Sequence, residues 1–370
     1  MKKKTVMILG KLPPPYMGPS IATEILIKSE LKNRFNLIHL DTKINANINA
    51  FGKWNFTKIF KSISIYFKML GLLTQHKPHL VLIPISQTTT GFIKDSIFII
   101  LVRLCRKKVL IQLRGSDIQN WLSKSTKLTN LYFKFILNQT VGVIVLGQNL
   151  KYLFKNYFDP ASIFVIPNGG NFNFIKSQKD KNSEIKILYF SNLLQSKGIE
   201  DVFKAIEILS KNNVTIKYSI DLVGAWQSNE VKERCLNLLE KNQLPITIHL
   251  PKSGIEKTKF LEEADIFIFP PREPEGHPWA IVEAMAASLP IISTDQGAII
   301  ESVMDTKNGF IVEPKNPEMI AEKLRILLEN SELRAKMGQE SFTLYLENFT
   351  EEKMIERYTT VFNTLLANGK

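Results

Sequence analysis

The 370-residue sequence predicts an α/β protein with two doubly wound parallel sheets. Three observations lead there. Short apolar runs alternate with helical patterns along nearly the whole chain. The alternation breaks once, at the polar, Gly-containing stretch Pro167 to Ser183, which has the composition of a linker. The length is ample for two separate cores.

In the first half the predicted strands are Thr5–Leu9, Leu37–Leu40, Leu80–Pro84, Lys108–Leu113, Gly142–Leu146 and Ser162–Ile166. Thr5–Leu9 follows the basic start Met1-Lys2-Lys3-Lys4 and ends at Gly10, too short for the core of a signal peptide, so it reads as a first strand. A Pro-rich loop then leads to a helix at Ile21–Leu31, with Ser20 as its expected N-cap. The second half repeats the scheme at Ile185–Phe190, Ile216–Val223, Ile246–Leu250, Asp265–Phe269, Ile291–Ser293 and Phe310–Val312. Ser331 to Ala367 reads as two closing helices. Domain boundaries are expected at 1–170 and 171–349, with 350–370 as a terminal helix.

Composition narrows the class. The hydrophobic fraction of 44% and a mean hydropathy near zero describe a soluble globular chain. The most apolar stretch, Ile97 to Leu104, is too short to span a bilayer. Cys105 and Cys235 are the only cysteines, far apart and outside any metal-ligand spacing, which fits a reducing cytoplasm.

Charge is unevenly distributed. Residues 1–170 hold 24 Lys+Arg against 6 Asp+Glu, whereas residues 171–370 hold 24 against 29. A first half this basic calls for an anionic partner. No nucleic-acid-reading motif accompanies the charge, so nucleic acid is not expected. An anionic membrane surface fits better, because lysines interleave with large apolar residues. Trp54, Phe56, Ile59, Phe60, Ile63, Phe67 and Leu70 form one approximate helical stripe. Trp121 to Leu137 holds a second, with Leu131, Tyr132 and Phe135 beside Lys124, Lys127 and Lys134. The alternative is that both stripes pack on the sheet and leave their lysines solvated.

The most informative segment is Pro274-Glu275-Gly276-His277-Pro278-Trp279-Ala280-Ile281-Val282-Glu283-Ala284-Met285-Ala286. Pro278 suits the first helical position, and Ala280 to Ala287 is a strong helix former stopped by Leu289-Pro290. With Asp265–Phe269 before it and Ile291–Ser293 after it, the segment is the loop and helix of a βαβ unit. The helix start offers backbone N–H groups and a positive dipole end to a phosphate. Glu275 lies just before that start and Glu283 about two turns inside. Two glutamates eight apart also occur on plain solvated helices; the strand-loop-helix-strand setting distinguishes this pair.

At these residues the sequence resembles the retaining glycosyltransferases of family 4, which carry a Glu-x7-Glu signature followed by a Glu-Ala-Met-Ala helix. The resemblance is strong over residues 185–330 and weak over 1–170. It implies a GT-B fold, with two facing Rossmann-like domains, a cleft between them and a last helix crossing back onto the first. It also implies a nucleotide-sugar as donor. Glu275 would then bind donor sugar hydroxyls, and Glu283 the ribose. Gly276, His277, Pro278, Trp279, Ala280 and Ile281 would line the donor site. His277 has packing beside Trp279 as its alternative.

The loop after Ile185–Phe190 supports that implication in part. Lys197 would stabilise the departing diphosphate, and Gly198 lets the backbone approach it. The family's arginine position is occupied by Asn192, and Arg272 is the candidate replacement. Gly18 matches a family glycine whose N–H meets the donor phosphate. Arg114 stands where relatives carry histidine and, with Ser116, is assigned to the acceptor side. Asp117 reads as an N-cap.

No Asp-x-Asp sequence occurs, so no metal or other cofactor is expected. The expected reaction is transfer with retention from a UDP- or GDP-sugar to a lipid-linked or growing glycan. Capsule, lipopolysaccharide or exopolysaccharide synthesis is the expected setting, at the inner face of the cytoplasmic membrane. A nucleotide-sugar epimerase on the same scaffold and a non-catalytic glycan- or membrane-binding relative are the alternatives.

Overall fold

The computed structural model describes residues 3–43, 56–176, 183–212 and 216–367. The chain divides into two compact units, Met1–Asn168 with Glu351–Lys370, and Gly169–Thr350.

The first unit opens with β1 (Thr5–Gly10), α1 (Gly18–Lys28), α2 (Leu31–Arg34) and β2 (Asn36–Asp41). It continues through α3 (Phe56–His76), β3 (Leu80–Ile85), α4 (Thr89–Leu104) and β4 (Lys108–Leu113). The last elements are α5 (Ile118–Ser123), α6 (Lys127–Leu137), β5 (Gly142–Val145) and β6 (Ile163–Val165). The six strands form one parallel sheet in the order β2-β1-β3-β4-β5-β6. Strand residues alternate between its faces. Val6, Ile8, Leu80, Leu82, Leu110 and Ile144 share a core with Leu26 of α1 and Leu31 of α2. Helices α3, α4 and α6 cover the other face, as right-handed crossovers from β2 through to β5 require. They pack side by side. Tyr66 Oη donates to the Lys94 carbonyl at 3.1 Å, and the Ser96 and Tyr132 hydroxyls lie 2.7 Å apart.

The second unit runs β7 (Ile185–Phe190), α7 (Ile199–Lys211), β8 (Tyr218–Val223), α8 (Asn229–Asn242), β9 (Ile246–His249) and α9 (Gly254–Glu263). It then runs β10 (Ile266–Phe269), α10 (Trp279–Ala286), β11 (Ile291–Thr294), β12 (Gly309–Val312), α11 (Pro317–Glu329) and α12 (Ser331–Asn348). Its sheet is again parallel, in the order β12-β11-β10-β7-β8-β9. Chain order reverses between β7 and β10. That makes the space beyond their carboxyl ends the topological switch point, where open α/β sheets bind ligands.

The final helix, α13 (Glu351–Ala367), follows α12 directly but belongs to the first unit. Met354, Tyr358, Phe362 and Leu365 complete the core beneath β1, β3 and β4. Tyr358 Oη accepts from Gln112 Nε2 at 2.6 Å, which ties the helix to β4.

All twelve predicted strands are present, with ends shifted by up to two residues. Two helix starts differ from expectation. Helix α1 begins at Gly18 with Met17 as N-cap, because the Ser20 hydroxyl accepts the Met17 N–H at 3.0 Å from inside the first turn. Helix α10 begins at Trp279, one residue later than predicted, and Pro278 caps it in an extended conformation. The helix ends because Ser288 turns left-handed, at φ 54°. Leu289 N–H then returns to the Ala284 carbonyl and Ser288 N–H to Met285, a Schellman closure that Pro290 follows.

Candidate active site

The loop after β7 and the loop after β10 meet at the switch point. Gly198 has φ 77°, and a Cβ there would lie 1.8 Å from the Pro270 carbonyl oxygen, so only glycine allows the contact. Arg272 N–H donates to the Ser196 carbonyl at 2.9 Å across the same junction. The fully buried Tyr189 at the end of β7 donates its hydroxyl to the Lys197 carbonyl at 3.2 Å. On the far side of the β10 loop, Gly297 has φ 61°, and a Cβ there would lie 1.6 Å from the Glu275 carbonyl oxygen. The Glu275 backbone is thus packed against the turn after β11.

This framework brings Lys197 and Glu275 together. Lys197 Nζ is ion-paired with Glu275 Oε1 and lies 5.9 Å from the Phe269 ring centroid. Burial holds the Glu275 carboxyl above its ordinary value of 4.5, Lys197 pulls it back, and the neighbouring Glu273 adds to the rise. Glu283 is deeper, with 6% exposure, and is ion-paired with Lys257 of α9. Its carboxyl is likewise raised by burial and lowered by Lys257. Lys257 Nζ sits 5.1 Å from the centroid of the Phe190 ring, at the end of β7. Two carboxylates, Glu275 half-buried and Glu283 buried, each matched by one lysine, therefore flank the ends of adjacent strands. Such a group can accept hydroxyl hydrogens through its carboxylates and present ammonium groups to an anion.

The other predicted donor-site residues divide by environment. Gly276, Trp279 and Ile281 are buried, and Pro278 and Ala280 half-buried, around the start of α10. His277 is buried, with Nε2 2.6 Å from Ser302 Oγ and its ring 5.1 Å from that of Phe349. The Trp279 indole meets Phe172 edge-on at 6.5 Å. Asn192 is exposed. Arg272 is engaged elsewhere than expected: Nε and Nη2 grip both Asp201 oxygens at 2.6 Å, and Nη1 reaches Glu200 at 3.3 Å. That bidentate pairing fastens the β10 loop to the first turn of α7.

Gly18, Arg114 and Ser116 belong to the first unit. Gly18 is the first residue of α1. Arg114, just past β4, donates to Asn168 Oδ1 at 3.0 Å, Gln112 Oε1 at 3.2 Å and Tyr358 Oη at 3.3 Å. Ser116 is buried, and Asp117 occupies the N-cap position of α5 without a capping side-chain bond. Among the described residues no group of three or more His, Cys, Asp or Glu side chains is arranged to hold a metal ion.

Sequence reasoning missed Lys257. It lies on α9, among Glu256, Lys259 and other charged residues, and only the packing of α9 beside β7 separates it from a solvated lysine. It also missed the Asp201–Arg272 pair, although two acids in the first turn of α7 were a visible signal.

Residues 171–344 match the family described as glycosyl transferases group 1. The second unit is a group 1 glycosyltransferase domain. The chain has relatives over its fuller length. The capsular polysaccharide biosynthesis glycosyltransferase CapM of Staphylococcus aureus is 24% identical over 330 residues, 84% of this chain and 83% of that protein. The poly(ribitol-phosphate) alpha-N-acetylglucosaminyltransferase of S. aureus strain COL is 25% identical over 231 residues, or 61% of this chain. The match spans only 45% of that longer relative. Among solved structures, Anabaena Alr3699/HepE in complex with UDP and glucose superposes with a TM-score of 0.75 at 15% identity. That superposition covers 98% of this chain and all of the other. The fold of the chain is GT-B: two parallel six-stranded α/β units.

Proposed function

We propose that the protein transfers a sugar, with retention of configuration and without a metal ion, from a nucleotide-diphosphate sugar to a glycan acceptor. The observation that carries this reading is the Lys197–Glu275 pair at the β7/β10 switch point, with Glu283 and Lys257 beside it. The donor's anionic diphosphate replaces Glu275 as the partner of Lys197. Glu275, released from its ion pair, accepts hydrogen bonds from hydroxyls of the transferred sugar. Glu283 accepts from the ribose. The positive charge of Lys197 then favours the leaving diphosphate as negative charge develops on it. The family's missing arginine is not restored by Arg272, whose guanidinium is held by Asp201 and Glu200. Lys197 and backbone N–H groups at the start of α10 carry the diphosphate in this reading.

The acceptor is a lipid-linked or growing surface glycan, of the capsule or lipopolysaccharide kind, met at the inner face of the cytoplasmic membrane. The capsular and poly(ribitol-phosphate) relatives support a surface polymer, and the basic first half of the chain suits an anionic acceptor or its membrane.

The test is transfer of labelled sugar from UDP- and GDP-sugars to a membrane extract, with and without a chelator. Glu275→Ala should abolish transfer, and the chelator should leave the wild type unchanged. An epimerised nucleotide-sugar formed from donor alone would overturn the reading.

A further inference from the structure

The outer surface of α3, α4 and α6 differs from the opposite, α1–α2–α13 face of the first unit. The described part of α3 exposes Ile63 and Phe67, spaced i and i+4, and Phe67 is 69% exposed. Helix α4 exposes Ile93 and Leu104, with the half-buried Ile97 and Ile100 completing the stripe between them. Helix α6 exposes Leu128, Leu131 and Phe135, spaced i, i+3 and i+7, with Leu131 66% exposed. The inner faces of the same helices carry other residues, including Met69, Phe92, Phe98, Phe133 and Ile136, which are buried. The apolar stripes read from the sequence therefore point largely outward. Trp54 lies outside the described residues, as do the side chains of Phe56, Ile59 and Phe60.

Charge on this face has one sign. Helices α3 and α6 contain no acidic residue, and the one acid of α4, Asp95, is buried and accepts from Ser86. Lys61, Lys68, Arg103, Lys127 and Lys134 are exposed along the three helices. The opposite face of the same sheet is different: α1, α2 and α13 expose no large apolar side chain and mix Lys28, Lys353 and Arg357 with Glu24, Glu351, Glu352 and Glu356.

We infer that the α3–α4–α6 face is a docking surface for an anionic lipid bilayer, with Phe67, Leu131 and Phe135 inserted at the headgroup boundary and the lysines on lipid phosphates. A soluble polyanion would require the cations but not exposed Phe and Leu side chains between them. A lipid surface uses both. No helix of the described residues is long and apolar enough to cross a membrane, so attachment of this face would be peripheral. The inference gives the membrane-borne acceptor proposed above an approach surface, but it does not depend on the donor chemistry.

Flotation of the full chain with vesicles tests it. Vesicles of phosphatidylcholine containing about one third phosphatidylglycerol should bind the wild type, and pure phosphatidylcholine should bind it at least ten-fold less. L131E/F135E should lose at least ten-fold on the anionic vesicles while keeping the wild-type circular dichroism and thermal shift with nucleoside diphosphates. K127Q/K134Q should weaken binding less and reduce its salt dependence. Equal binding of wild type and L131E/F135E, or no wild-type binding to anionic vesicles, would overturn the inference. So would a wild-type dimer that L131E/F135E converts to monomer without any vesicle binding, since the face would then be a subunit contact. Sugar transfer to a soluble acceptor, measured in parallel, keeps failure here separate from failure of the proposed reaction.

Discussion

The two sheets of this chain are both six-stranded, parallel and covered by helices, yet they distribute charge in opposite ways. The second unit partly or wholly withdraws its important charges from solvent at a strand switch point, each carboxylate matched to a lysine: Lys197 with Glu275, Lys257 with Glu283. The first unit turns Lys61, Lys68, Arg103, Lys127 and Lys134 outward among exposed apolar side chains on α3, α4 and α6, whose one acid, Asp95, is buried. A buried, paired charge is selective, because desolvation penalises any ligand that does not replace the lost partner. An exposed, one-signed and apolar surface is adhesive and tolerant of detail. The same architecture therefore suits a selective site in one unit and, on the inference above, a broad contact face in the other.

The sharpest way to break the comparison is to remove one member of a matched pair. Lys197→Ala should lower kcat/KM by about 10²–10³-fold, leaving vesicle binding as in the wild type. Loss of both functions together would mean the units are not independent in role. Asp201→Ala should destabilise the second unit by about 3 kcal/mol, since it leaves Arg272, 11% exposed, without its bidentate partner. Chemical denaturation followed by tryptophan fluorescence measures this.

A smaller effect concerns pH. Burial raises the Glu283 carboxyl above 4.5 in the folded chain, so the stability gained from its neutral form is present below 4.5 and lost as pH rises through the raised value. Glu283→Gln, which cannot ionise, should show less of that loss in thermal melts across the range. Lys257→Met removes the group that pulls the carboxyl down, so the acid limb of nucleoside-diphosphate affinity should move to higher pH. An unmoved limb would remove Lys257 from the site. The smallest effect belongs to the outward face: Phe67→Ser should change folding stability by no more than about 0.5 kcal/mol, because its side chain is already in solvent.

Much of this contrast was legible in the sequence, and for physical reasons. Near-continuous apolar runs such as Ile185–Phe190 suit strands buried on both faces of a covered parallel sheet, so the strands could be read directly. Glu275 and Glu283 were legible because a loop-to-helix junction between two strands is a local pattern. Lys257 was not, since its partner is 26 positions away and the pairing exists only through tertiary packing. The pairing of Arg272 was hidden for the same reason: nearness in sequence to Glu275 suggested the donor, and the packed structure engages it with Asp201. The outward stripes of α3 and α6 were visible as patterns, but amphipathicity alone does not say which side of a helix meets the sheet. Met69 and Phe133, outside the most conspicuous stripes, took the inner positions.

The central claim is that Lys197 and Glu275 exchange their mutual ion pair for the donor's diphosphate and sugar. Isothermal titration of UDP and GDP against wild type, Lys197→Ala and Glu275→Gln tests it most directly. The nucleotide lacks the sugar, so Glu275→Gln should bind it at least as tightly as the wild type, having freed Lys197 from competition. Lys197→Ala should bind it at least ten-fold more weakly. Equal affinity of wild type and Lys197→Ala for both nucleotides would contradict the account.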